Sequence, residues 1–290
     1  MVLHKIKAVQ RAENLADRVN RFFKDSKKAR STSYQLSLDL FQESSEKFTF
    51  KSPSQNTYEF LNLLTHAMPD GDIYLFGGLL RDLALIGRRG FNSDIDLVVD
   101  GNWYNLVPYL KSLHATKNKF GGYRLNIGGW PIDIWNAKET WAFREGIIEY
   151  ESIFSLTKTT VLNWDAILMN WRTKEIICRD NYFEELNLRV LDVVLEENPN
   201  PLGMAVRVFR HLCTKDAKKI TWNAAKFLAK SGRKYSFKEL KDAELESYSD
   251  SVIEPAIYAF FRQIDPTKKE SPQHQFNIAS DIVKRELAFS

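Results

Sequence analysis

The chain has 290 residues, 44% hydrophobic and 13% aromatic, which describes a globular protein with a substantial core and excludes an intrinsically disordered one. The net charge is only +4, no apolar run approaches the roughly 20 residues of a membrane span, and the N-terminal stretch lacks the apolar core of a signal peptide. Two cysteines, Cys178 and Cys213, exclude a disulfide framework and a four-cysteine zinc site. We therefore expect a cytoplasmic protein with no membrane partner.

Basic residues are concentrated in two segments of this nearly neutral chain. Residues 1–30 hold nine Lys and Arg against three acids, and residues 207–242 hold eleven against three. Such segments suit a polyanionic partner, with nucleic acid first among the candidates. A solvated helix face explains each segment equally well.

The N-terminal third begins with helical patterns. Apolar spacing predicts an amphipathic helix over residues 4–23, which we interpret as a brace packed on the main domain. Residues 31–53 are polar and show no periodicity. The segment "SPSQNTYEFLNLLTHAM" (residues 52–68) then predicts a second helix, with Ser54 or Asn56 as its N-cap and its end before "PDG".

From Asp72 the pattern changes to short strands and helices. The segments "DIYLF" and "DIDLVV" predict strands on either side of a helix, and "YRLNIGGWPIDIW" predicts a hairpin. The chain beyond Pro199 is helical in pattern. The predicted fold class is α+β: a small mixed or antiparallel sheet flanked by helices, with an N-terminal helical brace and a C-terminal helical domain. The predicted domains are 1–53 (brace and linker), 54–195 (α+β domain) and 196–290 (helical domain).

Asp94 and Asp96 lie two residues apart at a predicted strand, so their side chains project from one face. Two carboxylates held this close repel each other unless a cation or a proton lies between them, and Mg²⁺ prefers such oxygen ligands. The alternative is an ordinary pair of exposed acids at a strand edge. For an isolated motif of this kind that alternative is the more frequent outcome.

Three further features favour a metal and triphosphate site. Gly77 and Gly78 follow a strand and open a helix, where backbone N–H groups can face a triphosphate, although a glycine pair is more often a plain turn. Asp133 lies between two isoleucines in an apolar strand, where an acid is costly unless it is paired or metal-bound. Arg81, one helical turn beyond the glycines, is placed to hold a phosphate.

Together these features predict nucleotidyl transfer. Two Mg²⁺ ions, or Mn²⁺ in their place, held by Asp94, Asp96 and Asp133 would neutralise a triphosphate and lower the pKa of an attacking hydroxyl. Such a reaction requires no protein nucleophile, and no serine or cysteine elbow motif is present in the sequence.

The sequence resembles the DNA polymerase β-like nucleotidyltransferase superfamily, and within it the head domain of class II tRNA CCA-adding enzymes and bacterial poly(A) polymerases. The family motifs GGxVRD, DxD and FGTxRL…IDIA match "GGLLRD", "SDIDLVV" and "FGGYRLNIGGWPIDIW". Its RRDFTINAM segment and its PLRxLRAxRF helix are similar to "TKTTVLNWDAILMN" and "PLGMAVRVFRHL". The resemblance implies a polymerase β-like head and nucleotide contacts by four further residues: Arg124, Asn163, Arg207 and Arg210.

The chain departs from that pattern in two places. Thr157, Lys158 and Thr159 replace the arginine pair and the aspartate of the family segment, and the nucleotide-selecting EDxxR motif has no clear counterpart. The sequence therefore leaves the added nucleotide and the number of additions open.

We expect a metal-dependent enzyme that transfers NMP from an NTP to a hydroxyl acceptor and releases pyrophosphate. The first acceptor to consider is an RNA or tRNA-like 3′ end held by the basic segments 1–30 and 207–242. One alternative is the same chemistry on a protein or a nucleotide, as in defence or signalling. The other alternative is a head that binds RNA or a partner protein without turnover.

Overall fold

The structure, a computed structural model, describes residues 8–25, 56–88, 91 and 93–278. Residues 1–7 and 26–55, which include the predicted linker, Ser54 and the ends of the first basic segment, lie outside the described residues. The chain divides into two compact units: Met1–Thr159 with Asp165–Arg179, and Thr160–Trp164 with Asp180–Ser290.

A seven-stranded mixed sheet is the centre of the first unit. Its strands are β1 (Asp72–Phe76), β2 (Ile95–Asp100), β3 (Thr116–Lys117), β4 (Tyr123–Ile127), β5 (Trp130–Asn136), β6 (Ile167–Asn170) and β7 (Ile176–Cys178). Their order is β3-β4-β5-β2-β1-β6-β7, in which only β2 and β5 are parallel neighbours. A mixed sheet with helices confirms the predicted α+β class.

Helices accompany this sheet in the first unit. They are α1 (Ala12–Asp25), α2 (Thr57–His66), α3 (Gly78–Leu85) and α4 (Trp103–Ser112), with the short α5 (Trp141–Arg144) following β5. Helices α2 and α3 pack on β1, and α1 packs on α2 and α3. Asn56 is the N-cap of α2, and its side chain accepts a hydrogen bond from the N–H of Tyr58 at 2.9 Å. It is one of the two residues predicted for this cap.

The N-terminal segment is a brace, as predicted, but among the described residues its helix begins at Ala12, so the helix predicted over residues 4–23 is wrong for residues 8–11. The Val9 N–H donates to the carbonyl of Ala84 at 2.9 Å, and the Arg18 Nη1 donates to the carbonyl of Leu83 at 3.0 Å. Phe23 is fully buried with its ring 5.2 Å from that of Trp171. The helix therefore closes the C-terminal end of α3 and completes the core on the helical side.

The two faces of the sheet differ in what they bury. Ile95 and Leu97 point into the helical layer and are fully buried, as strand alternation requires. On the other face Tyr74, Val98 and Leu168 form a second buried cluster with residues of the segment that follows β5. The polar residues of β2 belong to this second face, so the candidate site lies on the face opposite Ile95 and Leu97.

The second unit combines helices with a small sheet. Its helices are α6 (Tyr182–Leu188), α7 (Pro201–Thr214), α8 (Trp222–Lys234), α9 (Phe237–Tyr248) and α10 (Pro255–Gln263), and its strands are β8 (Val190–Leu191), β9 (Lys219–Thr221) and β10 (Gln275–Asn277). The sheet order is β10-β9-β8, with β8 and β9 parallel. This sheet was not predicted; the second unit includes the chain from Asp180 onward.

Two further findings concern composition. Cys178 and Cys213 are both half-buried, and burial raises the pKa of Cys213. Within the described residues, none of the helices combines the length and apolar character that crossing a bilayer demands.

Candidate active site

The register between β2 and β5 brings two of the predicted carboxylates together. Asp96 and Asp133 are direct partners on these parallel neighbours, and their side chains leave the same face of the sheet. Asp94 lies two residues before Asp96, immediately ahead of the strand. The strand that carries "IDIW" therefore lies directly beside the strand that carries "IDLVV".

A guanidinium group connects two of these carboxylates. Arg124 on β4 is the register partner of Asp133, and its Nε donates to Asp133 Oδ1 at 2.8 Å. Its Nη2 donates to Asp133 Oδ2 at 2.5 Å and to Asp94 Oδ2 at 2.6 Å. The hydrogen bond to Asp133 and the charges of Asp133, Asp94 and Asp96 raise the pKa of Arg124 further above its ordinary value. Asp94 and Asp133 thus share the positive charge of Arg124.

The donor set fits a hard divalent cation in chemistry. Carboxylate oxygens are the ligands that Mg²⁺ selects, and three carboxylates from adjacent strands supply them on one face. Across the part of the chain that the structure describes, however, no group of three or more His, Cys, Asp or Glu side chains is arranged to hold a metal ion. The guanidinium of Arg124 engages oxygens of Asp94 and Asp133 that a metal ion would otherwise use.

The glycine turn lies beside the carboxylates. Phe76, the last residue of β1, is the register partner of Asp96, and Gly77 follows it directly. Gly77 has φ +62° and ψ −114°, a conformation open only to glycine, and it turns the chain from β1 into α3. A Cβ on Gly78 would lie 3.5 Å from the Oγ of Ser93, the residue before Asp94. The first turn of α3, whose amide groups have no intrahelical acceptors, therefore opens at the carboxylate edge.

Arg81, which the sequence predicts to hold a phosphate, is buried and paired with two acids of the first unit, and the phosphate contact stays a prediction. The residue is 4% exposed; its Nε donates to Asp82 Oδ1 at 2.8 Å, and its Nη1 is hydrogen-bonded to Asp165. Burying a guanidinium requires such paired carboxylates. Its Nη2 lies 3.6 Å from the position of a Cβ on Gly78, so Arg81 supports the glycine turn from within the core.

Asp165 was missed by the sequence interpretation. It belongs to the segment similar to the RRDFTINAM motif, two residues beyond the matched Asn163, and is 4% exposed. Its position in the apolar run "NWDAILMN" was the available signal, because a buried acid requires a partner. That partner, Arg81, is 84 residues away in sequence.

Three residues implied by the resemblance belong to the second unit: Asn163, Arg207 and Arg210. The Asn163 side-chain N–H groups donate to Glu185 Oε2 at 2.8 Å and to the carbonyl of Val190 at 3.1 Å, and its Oδ1 accepts from the N–H of Asp192 at 2.9 Å. Both of its donors are used within the second unit, and the nucleotide contact implied for Asn163 stays a prediction.

Arg210 is likewise engaged inside the second unit. Its Nη1 contacts Glu244 Oε1 at 2.6 Å and Asp250 Oδ1 at 2.8 Å, and its guanidinium lies 4.1 Å from the ring centroid of Tyr248. Because Glu244 is fully buried, this pair fixes α7 against α9. The nucleotide contacts implied for Arg210 and for Arg207 both stay predictions.

Trp135 is the aromatic residue that lies next to the carboxylates. It is two residues beyond Asp133 on the same face of β5, half-buried, with its ring 5.9 Å from that of Phe76 in an edge-on arrangement. Its Nε1 donates to Thr140 Oγ1 at 3.0 Å. Trp164, by contrast, is fully buried and packs as core.

Comparison with known structures reveals the same architecture elsewhere. A CCA-adding enzyme solved with CTP superposes with a TM-score of 0.53 at 21% identity, covering 80% of this chain and 57% of that one. The chain has the fold of the CCA-adding enzymes. The Thermotoga maritima CCA-adding enzyme complexed with tRNA gives 0.52 at 20% identity over 80% and 56%, and an apo tRNA-processing enzyme gives 0.51 at 16% over 72% and 57%.

The fold predicted from the family resemblance is thereby confirmed. The chain spans less than two thirds of the length of the solved relatives it matches. No protein-family profile matches the sequence, and no curated protein does.

Proposed function

We propose that the protein is a metal-dependent nucleotidyltransferase that moves NMP from an NTP to the 3′-hydroxyl of an RNA. The observation that carries this proposal is the strand register that sets Asp96 opposite Asp133, with Asp94 and the glycine turn at the same edge. A fold shared with CCA-adding enzymes supports it, since two solved relatives contain CTP or tRNA. The proposal is template-independent addition in which an RNA end, tRNA-like first, is the acceptor.

The residues of this chain divide the work of such a reaction. Asp94 and Asp96 would hold Mg²⁺ between the protein and the triphosphate, and Asp133 would hold the ion nearest the acceptor hydroxyl. The bound ions would compensate phosphate charge and lower the pKa of that hydroxyl. Gly77 and Gly78 present the first amides of α3 to the triphosphate, and the buried Arg81 keeps that turn in place.

The acceptor would be bound by cationic side chains of the second unit. Lys226, Lys230 and Lys234 recur every four residues on α8 and therefore lie along one side of this helix. Lys230 also contacts Glu196 at 3.0 Å. Amines spaced along a helix suit the repeated phosphates of an RNA backbone and carry no base specificity.

An incorporation assay tests both the chemistry and the acceptor. Each of the four NTPs, labelled at the α-phosphate, is offered with Mg²⁺ to separate pools of RNA, protein and free nucleotide, with wild type and Asp94→Asn. We expect label in the RNA pool with wild type and its loss with the variant. Label in the protein or nucleotide pool would replace RNA as the acceptor, and equal label with the variant would exclude the site.

A further inference from the structure

Two clusters of an arginine with its carboxylate partners in the first unit differ in solvent exposure. Arg81 and its partners Asp82 and Asp165 have side chains that are 5%, 1% and 6% exposed. Arg124 and its partners Asp94 and Asp133 have side chains that are 55%, 40% and 20% exposed. A buried ion pair is fixed because opening it strands a charge, whereas water can solvate the groups of an exposed pair as it opens.

The oxygens that Arg124 engages are those that a metal site would need. Its Nε and Nη2 take both oxygens of Asp133, and Nη2 also takes Oδ2 of Asp94. A divalent ion bound by these two carboxylates would meet the guanidinium at contact distance, where like charges repel. Full contact of both carboxylates with Arg124 and with a divalent ion is therefore electrostatically unfavourable.

We propose that Arg124 is an exchangeable counter-cation of the carboxylate site, a property that rests on the proposed metal-dependent function. In the arrangement described, the guanidinium holds Asp94 and Asp133 together in place of an ion. Metal binding withdraws Arg124 from Asp94, and the displaced charge becomes available to an anionic ligand. The binding of metal and of triphosphate is coupled through this residue, because an anion that pairs with Arg124 removes the competitor of the ion.

Metal binding without any reaction provides the test. Titration of the full chain with Mn²⁺, followed by the electron paramagnetic resonance signal of the free ion, gives the affinity in the absence of nucleotide. The variants are Arg124→Gln, which removes the charge, and Arg124→Lys, which keeps the charge but loses the forked geometry that engages two carboxylates. Lys111→Ala, an exposed charge removal on α4, is the matched control.

We expect Arg124→Gln to bind Mn²⁺ about three- to tenfold more tightly than wild type, since the competing pair is partly exposed. The Mn²⁺ affinity of Arg124→Lys should lie between those of wild type and Arg124→Gln, and that of Lys111→Ala should equal the affinity of wild type. Adding a non-hydrolysable NTP analogue should tighten Mn²⁺ binding more in wild type than in Arg124→Gln. Circular dichroism confirms that each variant is folded, and Arg124→Lys carries the test alone should Arg124→Gln fail to fold.

The outcomes separate this inference from the function on which it rests. The exchange is overturned if both Arg124 variants bind Mn²⁺ no more tightly than wild type. If wild type binds Mn²⁺ and Asp96→Asn does not, the metal site itself stands. Wild-type binding that is indifferent to Asp96→Asn overturns the metal site itself, and the inference with it.

Discussion

Asp96 on β2 and Asp133 on β5 are direct partners across parallel strands and lie on one face of the sheet. They come from segments 37 positions apart, and the chain between them contributes α4 and the two strands that close the sheet beyond β5. This register converts two ordinary strand acids into a single polyanionic edge. Arg124 on β4, the strand next to β5, forms ion pairs with Asp94 and Asp133 and so compensates part of this negative charge.

The backbone of Gly77 is predicted to be required for nucleotide binding. Gly77→Ala places a side chain at φ +62° and ψ −114°, and the strain should lower the free energy of unfolding by about 1–3 kcal/mol and tilt the first turn of α3. Gly146→Ala is the matched control, because Gly146 also has positive φ, at +67°, and nothing lies within 4 Å of its added Cβ. Denaturant unfolding and NTP titration should show lower stability in both variants and weaker NTP binding only in Gly77→Ala. Equal NTP affinity in Gly77→Ala and Gly146→Ala would show that the glycine turn does not take part in nucleotide binding.

Arg172 is predicted to stabilise the first unit without affecting the site. Its Nη2 donates to the carbonyls of Thr65, Met68 and Gly71 at 3.1, 2.8 and 3.1 Å, where α2 ends. Arg172→Met should lower the free energy of unfolding by about 1–3 kcal/mol, because these bonds to a charged donor are lost. Chemical denaturation measures the change. Mn²⁺ affinity should be unaltered, and a variant as stable as wild type would show that these bonds contribute nothing.

Lys174 is predicted to make stability rise with pH in the alkaline range. Burial, and then the charge of Lys24, lower the pKa of Lys174 to about 8, although its Nζ lies 3.2 Å from the centre of the Trp171 ring, a contact that favours the charged form. Because the folded state releases this proton before the unfolded state does, the unfolded state binds more protons between about pH 8 and the ordinary lysine pKa near 10.4. The contribution of Lys174 to stability therefore increases as pH rises through that window.

Thermal unfolding between pH 7 and pH 10.5 checks the sign for Lys174. The difference in melting temperature between wild type and Lys174→Met should shift in favour of wild type as pH rises. A difference that stays constant across the window would contradict a lowered pKa.

The lysines of α8 are predicted to bind RNA phosphates. Replacing Lys226, Lys230 and Lys234 together by glutamine should weaken RNA binding and reduce the slope of log affinity against log salt concentration by about 2, as three lost single-strand phosphate contacts require. Fluorescence anisotropy with a labelled RNA at several salt concentrations measures the slope. Lys268→Gln with Lys269→Gln, outside the basic segment 207–242, is the control. An unchanged slope in the triple variant would place the RNA elsewhere.

The sequence pattern correctly predicted the elements that depend on neighbouring residues alone, such as single strands, tight turns and helix caps. The strand "DIYLF" is β1 from Asp72 to Phe76, and the Gly128-Gly129 turn joins β4 to β5, because alternation and glycine conformation act over a few residues. The cap of α2 by Asn56 is of the same kind.

What the sequence did not reveal depends on contacts between distant residues. The small sheet of the second unit consists of strands of two or three residues, too short to show a period, and β10 joins β9 from 54 positions away. The burial of Arg81 depends on its ion pair with Asp165, and the side-chain oxygen of Asn163 accepts its hydrogen bond from the N–H of Asp192. Motif matching identified these residues but could not distinguish a ligand contact from a core contact, because the same side-chain groups serve both.

The central claim is that the edge formed by Asp94, Asp96 and Asp133 transfers NMP. Its most direct test compares Asp96→Asn with Asp100→Asn, which changes an equally half-buried acid on the same strand and face at its far end. With Mg²⁺, NTP and an RNA acceptor, pyrophosphate release and label at the RNA 3′ end are measured together. We predict a loss of about 100-fold or more for Asp96→Asn and near wild-type rates for Asp100→Asn. Equal rates for the two folded variants would contradict the account.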